Sequence, residues 1–153
     1  DGSMRALLAL ILVAVLAGCD STDTLAPVEA EAAAVTPEGL AEARAAWEAS
    51  GVADYELEYA LECFCISGDR VRVRDGRVVS TAQGRVAEAR TVDDLFAEAA
   101  QALADAEALD QYAAEVRLAA RGPRIPAVVE YGTTDPGIAD GFVRLVVTGF
   151  EAR

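Results

Sequence analysis

From Asp54 to Cys65 the residue types alternate. Tyr55, Leu57, Tyr59, Leu61, Cys63 and Cys65 interleave with Glu56, Glu58, Ala60, Glu62 and Phe64. This period of two predicts a half-buried β-strand with both cysteines on its apolar face and the glutamates toward solvent. A turn is expected at Ser67-Gly68-Asp69, followed by "RVRVRDGRVVS". There Val71 and Val73 point inward while Arg70, Arg72 and Arg74 point out. Antiparallel pairing sets glutamates of the first strand across from arginines of the second, each pair contributing about 0.2–1 kcal/mol. Asp75-Gly76 signals a two-residue hairpin that pairs Arg74 with Arg77 and Val73 with Val78.

On either side of this unit the period changes. Thr36-Pro37 reads as N-cap and first helical residue, with Val35 and Leu40 placed as a hydrophobic staple. This helix is expected to end near Ala49, before Ser50-Gly51, with Trp47 as its anchor. Thr91 and Asp94 form a capping-box pattern ahead of a stripe of Val92, Leu95, Phe96, Ala99 and Leu103. Strand candidates follow at Ala114–Ala120, Ala127–Tyr131 and Phe142–Phe150. The expected fold is α+β, an antiparallel sheet of about six strands with two helices on one face, in the order α-β-β-β-α-β-β-β. A duplication would give that order, although no residue-level repeat supports one.

The N-terminus has a different pattern. After Asp1-Gly2-Ser3, which is set aside as a scar or upstream extension, the chain reads "MRALLALILVAVLAGC". A single Arg5 precedes an apolar run from Ala6 to Leu16. That is shorter than the roughly 20 residues needed to span a bilayer core and has the size of a signal-peptide apolar region. Leu16-Ala17-Gly18-Cys19 resembles the bacterial lipobox, which implies that Cys19 is lipidated as the first residue of the mature chain. The chain is then expected to be anchored to a membrane on the extracytoplasmic side of the bacterial envelope. Asp20 resembles an inner-membrane retention signal in one bacterial group, without deciding between membranes. The stretch from Asp20 to Val35 is acidic, alanine-rich and without aromatic residues, and reads as a flexible tether. Three parts follow: a signal at 4–19, a tether at 20–35 and one α+β domain at 36–150.

Charge and composition narrow the function classes. Thirteen basic residues, all arginine, face 26 acidic ones for a net charge of −13, a balance unsuited to nucleic acid. The chain has no histidine, which excludes Ser-His-Asp and Cys-His catalysis and imidazole metal sites. No catalytic residue, cofactor site or metal site is assigned. The expected function is a non-enzymatic binding domain whose partner is an envelope protein or a small ligand.

Cys63 and Cys65 are the candidate chemistry. Unpaired thiols oxidise outside the cytoplasm, and with Cys19 lipidated two remain. Residues i and i+2 of a strand lie about 6.6 Å apart, near the upper limit of roughly 6.8 Å for a disulfide. Such a bond would be strained unless a bulge relaxed it. Three readings stay open: a local disulfide or buried thiol pair, a redox-active pair, and a soft-metal site lacking enough ligands in one chain. Asp135 and Asp140 in "GTTDPGIADG" suggest calcium or, more simply, turns. Tyr55, Tyr59, Tyr131 and Trp47 suggest an aromatic core or a lined pocket.

The layout as a whole resembles DUF6174, a bacterial lipoprotein family of unknown function. The resemblance is carried by Trp47 on the first helix, the Tyr55…Cys63-x-Cys65 strand, and the hairpin of Val71, Val73, Gly76, Val78 and Ser80. It continues in Thr91, Leu95 and Phe96 and in Pro126, Tyr131, Ala139 and Asp140, covering about Ala43 to Phe150. Ile125 stands where the pattern has glycine before Pro126. The resemblance implies an anchored envelope protein and brings no activity with it.

Overall fold

Both helices begin on the residues whose chemistry suits that place. The computed structural model describes residues 24–63, 67–135, 137 and 141–153. In it α1 spans Pro37–Ser50, with the Thr36 hydroxyl accepting the Gly39 amide at 3.2 Å. The helix ends at Gly51, in the left-handed conformation that glycine adopts without strain. Then come β1 (Tyr55–Glu62), β2 (Ser67–Arg74), β3 (Arg77–Thr81), a single 3₁₀ turn (Val86–Glu88) and α2 (Val92–Ala108). The chain closes with β4 (Tyr112–Leu118), β5 (Pro126–Thr133) and β6 (Phe142–Ala152). The Thr91–Asp94 capping box is present in both directions.

The strands form one antiparallel sheet in the order β3-β2-β1-β6-β5-β4. Two three-stranded meanders thus lie side by side and join where β1 meets β6. The α-β-β-β-α-β-β-β order and the α+β class are as expected. The β2–β3 hairpin has the expected register, Val73 opposite Val78 and Arg74 opposite Arg77, around Asp75 and Gly76 at φ 48° and 69°. One face carries the main core. There Leu57, Val71, Val73, Val116, Val129, Leu145 and Val147 meet Leu95 and Phe96 of α2.

The expectation of two helices on one face needs correction. α2 lies along β4 and β5, whereas the main backbone contacts of α1 are with α2. The buried stripe of α1 is only Leu40, Ala43 and Trp47, too narrow to cover a sheet. Trp47 reaches Tyr55 and Phe150 edge-on, with ring centroids 5.6 and 6.0 Å away. The length of that side chain holds the α1 backbone off the strands.

The tether expectation is also corrected from Thr24 onward. The Val28 amide donates to the Thr148 carbonyl at 3.3 Å, and the Phe150 amide to the Ala26 carbonyl at 3.0 Å. Further on, the Glu31 and Val35 amides donate to the Leu118 and Val116 carbonyls at 2.7 and 2.8 Å. The reason lies in the sheet. β6 outruns its β5 partner and β4 is an edge strand, so both present backbone groups that need pairing. Leu25 and Val128 are buried yet stand apart from the main core cluster. Val128 alternates with the core-facing Val129, so it faces the other side of the sheet. Leu25 fits there because residue 149 is glycine: a Cβ at Gly149 would lie 2.8 Å from that of Leu25.

Candidate functional site at the tip of the first hairpin

The turn between β1 and β2 falls four residues earlier than expected. β1 ends at Glu62, and Ser67, Gly68 and Asp69 belong to β2, opposite Leu61, Ala60 and Tyr59. Cys63 therefore lies on the turn, half-buried, and not on the core face of a strand. Cys65 falls outside the described residues, as does Cys19, so the structure describes neither the pair nor the lipidation site. Asp140 also falls outside. Asp135 is in a tight turn, its carboxylate accepting the Gly137 amide at 2.8 Å.

Next to the turn a cleft of about 370 Å³ opens. Tyr59 and Leu61 of β1 and Gly68 and Asp69 of β2 line one side, and Gln83 and Arg90 from the connection to α2 line the other. The short 3₁₀ turn brings that connection back over the sheet end. The Gln83 side-chain amide donates to the Gly68 carbonyl, and the Gln83 backbone amide donates to Asp69 at 3.2 Å.

The charges at the rim are pinned. Arg90 Nε donates to Glu98 Oε2 at 2.8 Å, and the Tyr131 hydroxyl donates to Glu98 Oε1 at 2.8 Å. The Arg90 amide donates to the Tyr59 hydroxyl at 3.3 Å, and its guanidinium lies 6.0 Å from the Tyr59 ring centroid. Arg85 pairs with Glu88 at 3.2 Å. Burial works against the charge on Arg90, but the bond and charge of Glu98 outweigh it and hold its pKa above the usual value. Burial, helped by Glu98, pushes the Tyr131 hydroxyl up to about 12. The cleft thus joins an apolar floor to fixed donors and acceptors of both signs.

Of the aromatic residues expected as core or pocket lining, Tyr59 does both. Tyr55 and Trp47 are core, and Tyr131 joins the rim network through Glu98. The sequence pattern placed Glu56 toward solvent, yet it is 3% exposed. Arg70, Arg72 and Arg153 converge on its carboxylate. The Glu–Arg pairing across the hairpin was readable; the approach of Arg153 from the chain end was not.

Residues 39–116, just over half of the chain, match the model of a family of unknown function, DUF6174. The chain belongs to the DUF6174 family. The match runs from α1 into β4, so all six cleft residues named above lie inside it. The further resemblance at Pro126, Tyr131, Ala139 and Asp140 lies beyond the matched part of the DUF6174 chain, and its last two residues are outside the described ones. No curated protein and no solved structure is significantly similar to this chain.

Proposed function

We propose that this DUF6174 chain is a bacterial envelope lipoprotein, held to a membrane by lipid on Cys19, whose domain binds an envelope protein or small ligand in the hairpin-tip cleft without catalysing a reaction. The observation that carries the binding reading is the cleft itself, with its apolar floor at Tyr59 and Leu61 and its convergent, pre-positioned polar groups. Concave apolar surface with a few fixed polar groups is what recognition of a ligand requires. Support for the anchor comes from the Met4–Cys19 pattern. Acyl chains contribute about 0.8 kcal/mol per buried CH₂ group, and more than one chain makes anchoring stable.

Two measurements test the two halves. Cys19→Ser is expected to move the protein from the membrane fraction to the soluble fraction; unchanged fractionation rejects the anchor. A photo-crosslinking residue at Gln83 is expected to give an adduct, identified by mass, that the same residue at exposed Glu107 on α2 does not give. Equal adducts, or none at either position, reject the cleft as the binding site.

A second reading, thiol-disulfide exchange by Cys63 and Cys65, gains support from one observation. Cys63 lies on a turn joining Leu61 to Ser67, both of which line the cleft, and is not enclosed in the core. Intact mass after alkylation, with and without reductant, reports the state of the pair. If the double Cys63→Ser, Cys65→Ser variant stays folded and loses exchange with a model disulfide, the redox reading replaces the first.

A further inference from the structure

Four charged side chains line the hairpin-tip cleft: Asp69, Arg85, Glu88 and Arg90. Arg85 pairs with Glu88 at 3.2 Å, and Arg90 pairs with Glu98 behind the rim at 2.8 Å. Asp69 is different. Its Oδ1 accepts the backbone amides of Arg70 and Gln83 at 2.8 and 3.2 Å, and no basic side chain pairs with it among the described residues. The adjacent Arg70 guanidinium donates to Glu56 on the other face of the sheet. Two amides fill the lone pairs of Oδ1, so Oδ2 keeps its capacity for a further donor. The register puts that oxygen within reach of a ligand. Asp69 lies opposite Tyr59, and Ser67 opposite Leu61. Residues directly opposite share a face of the sheet, so the carboxylate stands beside the apolar floor. The bond from the Gln83 amide ties it to the facing wall.

The one lining charge without an opposite partner is thus negative, in a chain of net charge −13, and both facts select a cation. The single open oxygen narrows the choice further. A guanidinium fork makes its two parallel bonds to both oxygens of a carboxylate, and Asp69 offers one. An ammonium is a compact point charge that one oxygen can hold. Its four-carbon stem also suits the floor, because lysine lays its methylenes on apolar surface and keeps its head polar. A cleft of about 370 Å³ lies at the small end of the roughly 300–1,000 Å³ range of ligand pockets. That is room for one extended side chain and the backbone beside it. A second copy cannot supply the group, since all thirteen basic residues of this chain are arginine.

We propose that the hairpin-tip cleft receives a lysine side chain of a partner protein, with its stem over Tyr59 and Leu61 and its ammonium on Asp69 Oδ2. The proposal rests on the cleft being the binding site and adds what the cleft selects. Glu88 and Glu98 neutralise Arg85 and Arg90, so that neither arginine cancels Asp69.

The test titrates the full chain, in a neutral detergent and an amine-free buffer, and follows the ¹H–¹⁵N shifts of Gly68 and Gln83. The probes are acetylated and amidated Gly-X-Gly peptides in which X is lysine, arginine or norleucine. Norleucine keeps the four-carbon stem and lacks the ammonium. Saturable shifts are expected with the lysine peptide, and severalfold weaker binding with the other two. Asp69→Asn keeps an oxygen for the two amides and removes the charge. It is expected to weaken the lysine peptide about tenfold, to the level of norleucine. Glu107→Gln, which removes the same charge from the exposed side of α2, is expected to change nothing. Equal binding of the lysine and norleucine peptides overturns the cationic occupant and leaves the cleft as a binding site. Equal binding of the lysine and arginine peptides overturns the selection by one oxygen. Binding of n-butylammonium as tight as that of the lysine peptide overturns a protein as its source. No shift with any peptide, while the crosslink at Gln83 still forms, overturns this inference alone; neither shift nor crosslink overturns the binding site as well. If Asp69→Asn does not fold, the three peptides on the wild type decide.

Discussion

The amide of Val92, the first residue of α2, donates to the hydroxyl of Tyr55, the first residue of β1, at 2.9 Å across 37 positions of sequence. The first amides of a helix have no intrahelical partner. The capping box satisfies the Asp94 amide with the Thr91 hydroxyl, and a tyrosine from the sheet satisfies Val92. This bond sets where α2 begins over the strands.

Tyr55→Phe leaves that buried amide unpaired, and a stability loss of about 1–3 kcal/mol is expected in urea unfolding. The same tyrosine governs behaviour at high pH. Burial, the largest cause, pushes its pKa up to about 12, so the folded state holds the proton more tightly than the unfolded state. Its contribution is complete below the unfolded value of about 10 and is lost as pH rises toward 12. Tyr131 adds to the slope in the same direction. A stability profile that stays flat between those values would contradict both assignments.

Glu56 has the opposite sign. Burial alone would raise its pKa, but hydrogen bonds from Arg70 and Arg72 and the charges of Arg72 and Arg153 outweigh it and leave it below the ordinary value. Its contribution is therefore present above the unfolded value of about 4.3 and disappears as pH falls through the lower folded value. Glu56→Gln is expected to cost about 2–3 kcal/mol at neutral pH, less than a fully buried pair because the arginines are partly solvated. The gap between wild type and variant should shrink on acidification. A gap that does not change with pH would rule out the ion pairs as its source.

Leu25→Ala removes the anchor of the N-terminal segment, and a loss of about 2–4 kcal/mol is expected. Hydrogen exchange at Val28 and Phe150 should quicken more than at Val129 in the main core. Equal protection in both proteins would show that the backbone bonds alone hold the segment.

Gly132→Ala tests the close approach of β5 to the residue just before β6. A Cβ there would overlap the Gly141 carbonyl oxygen, and a backbone atom cannot rotate aside. Destabilisation of at least about 1 kcal/mol is expected, with spectral changes around Phe142. A fully stable variant with unshifted Phe142 would place the two strands farther apart.

What could be read in advance was local. Thr36, Thr91 and the Asp75-Gly76 pair act on the backbone within three residues of themselves, and each element they predict is present. The β1–β2 turn was misplaced because Cys63 continues the alternation while Ser67-Gly68-Asp69 resembles a turn. Strand pairing overrode that resemblance. Glu56 was assigned to solvent because period two says only which face a residue takes, not what covers that face. Its partner Arg153 arrives from the far end of the chain. The segment after Thr24 has tether composition, and what holds most of it is backbone pairing, which composition does not record. The hairpin-tip cleft was legible only as a set of aromatic candidates. Its other wall depends on how the connection after β3 folds back.

The seam between β1 and β6 determines when this fold can form during synthesis. Arg153 meets Glu56 across 97 positions, and Tyr55 lies opposite Ala152. Loop closure over so long a stretch costs entropy before any contact repays it. A growing chain can make the β1–β2–β3 meander early, but one flank of β1 stays bare until β6 is available to pair with it. An early stop codon within Phe142–Ala152 would therefore expose the middle of the sheet, with unpaired strand flanks on both β1 and β5.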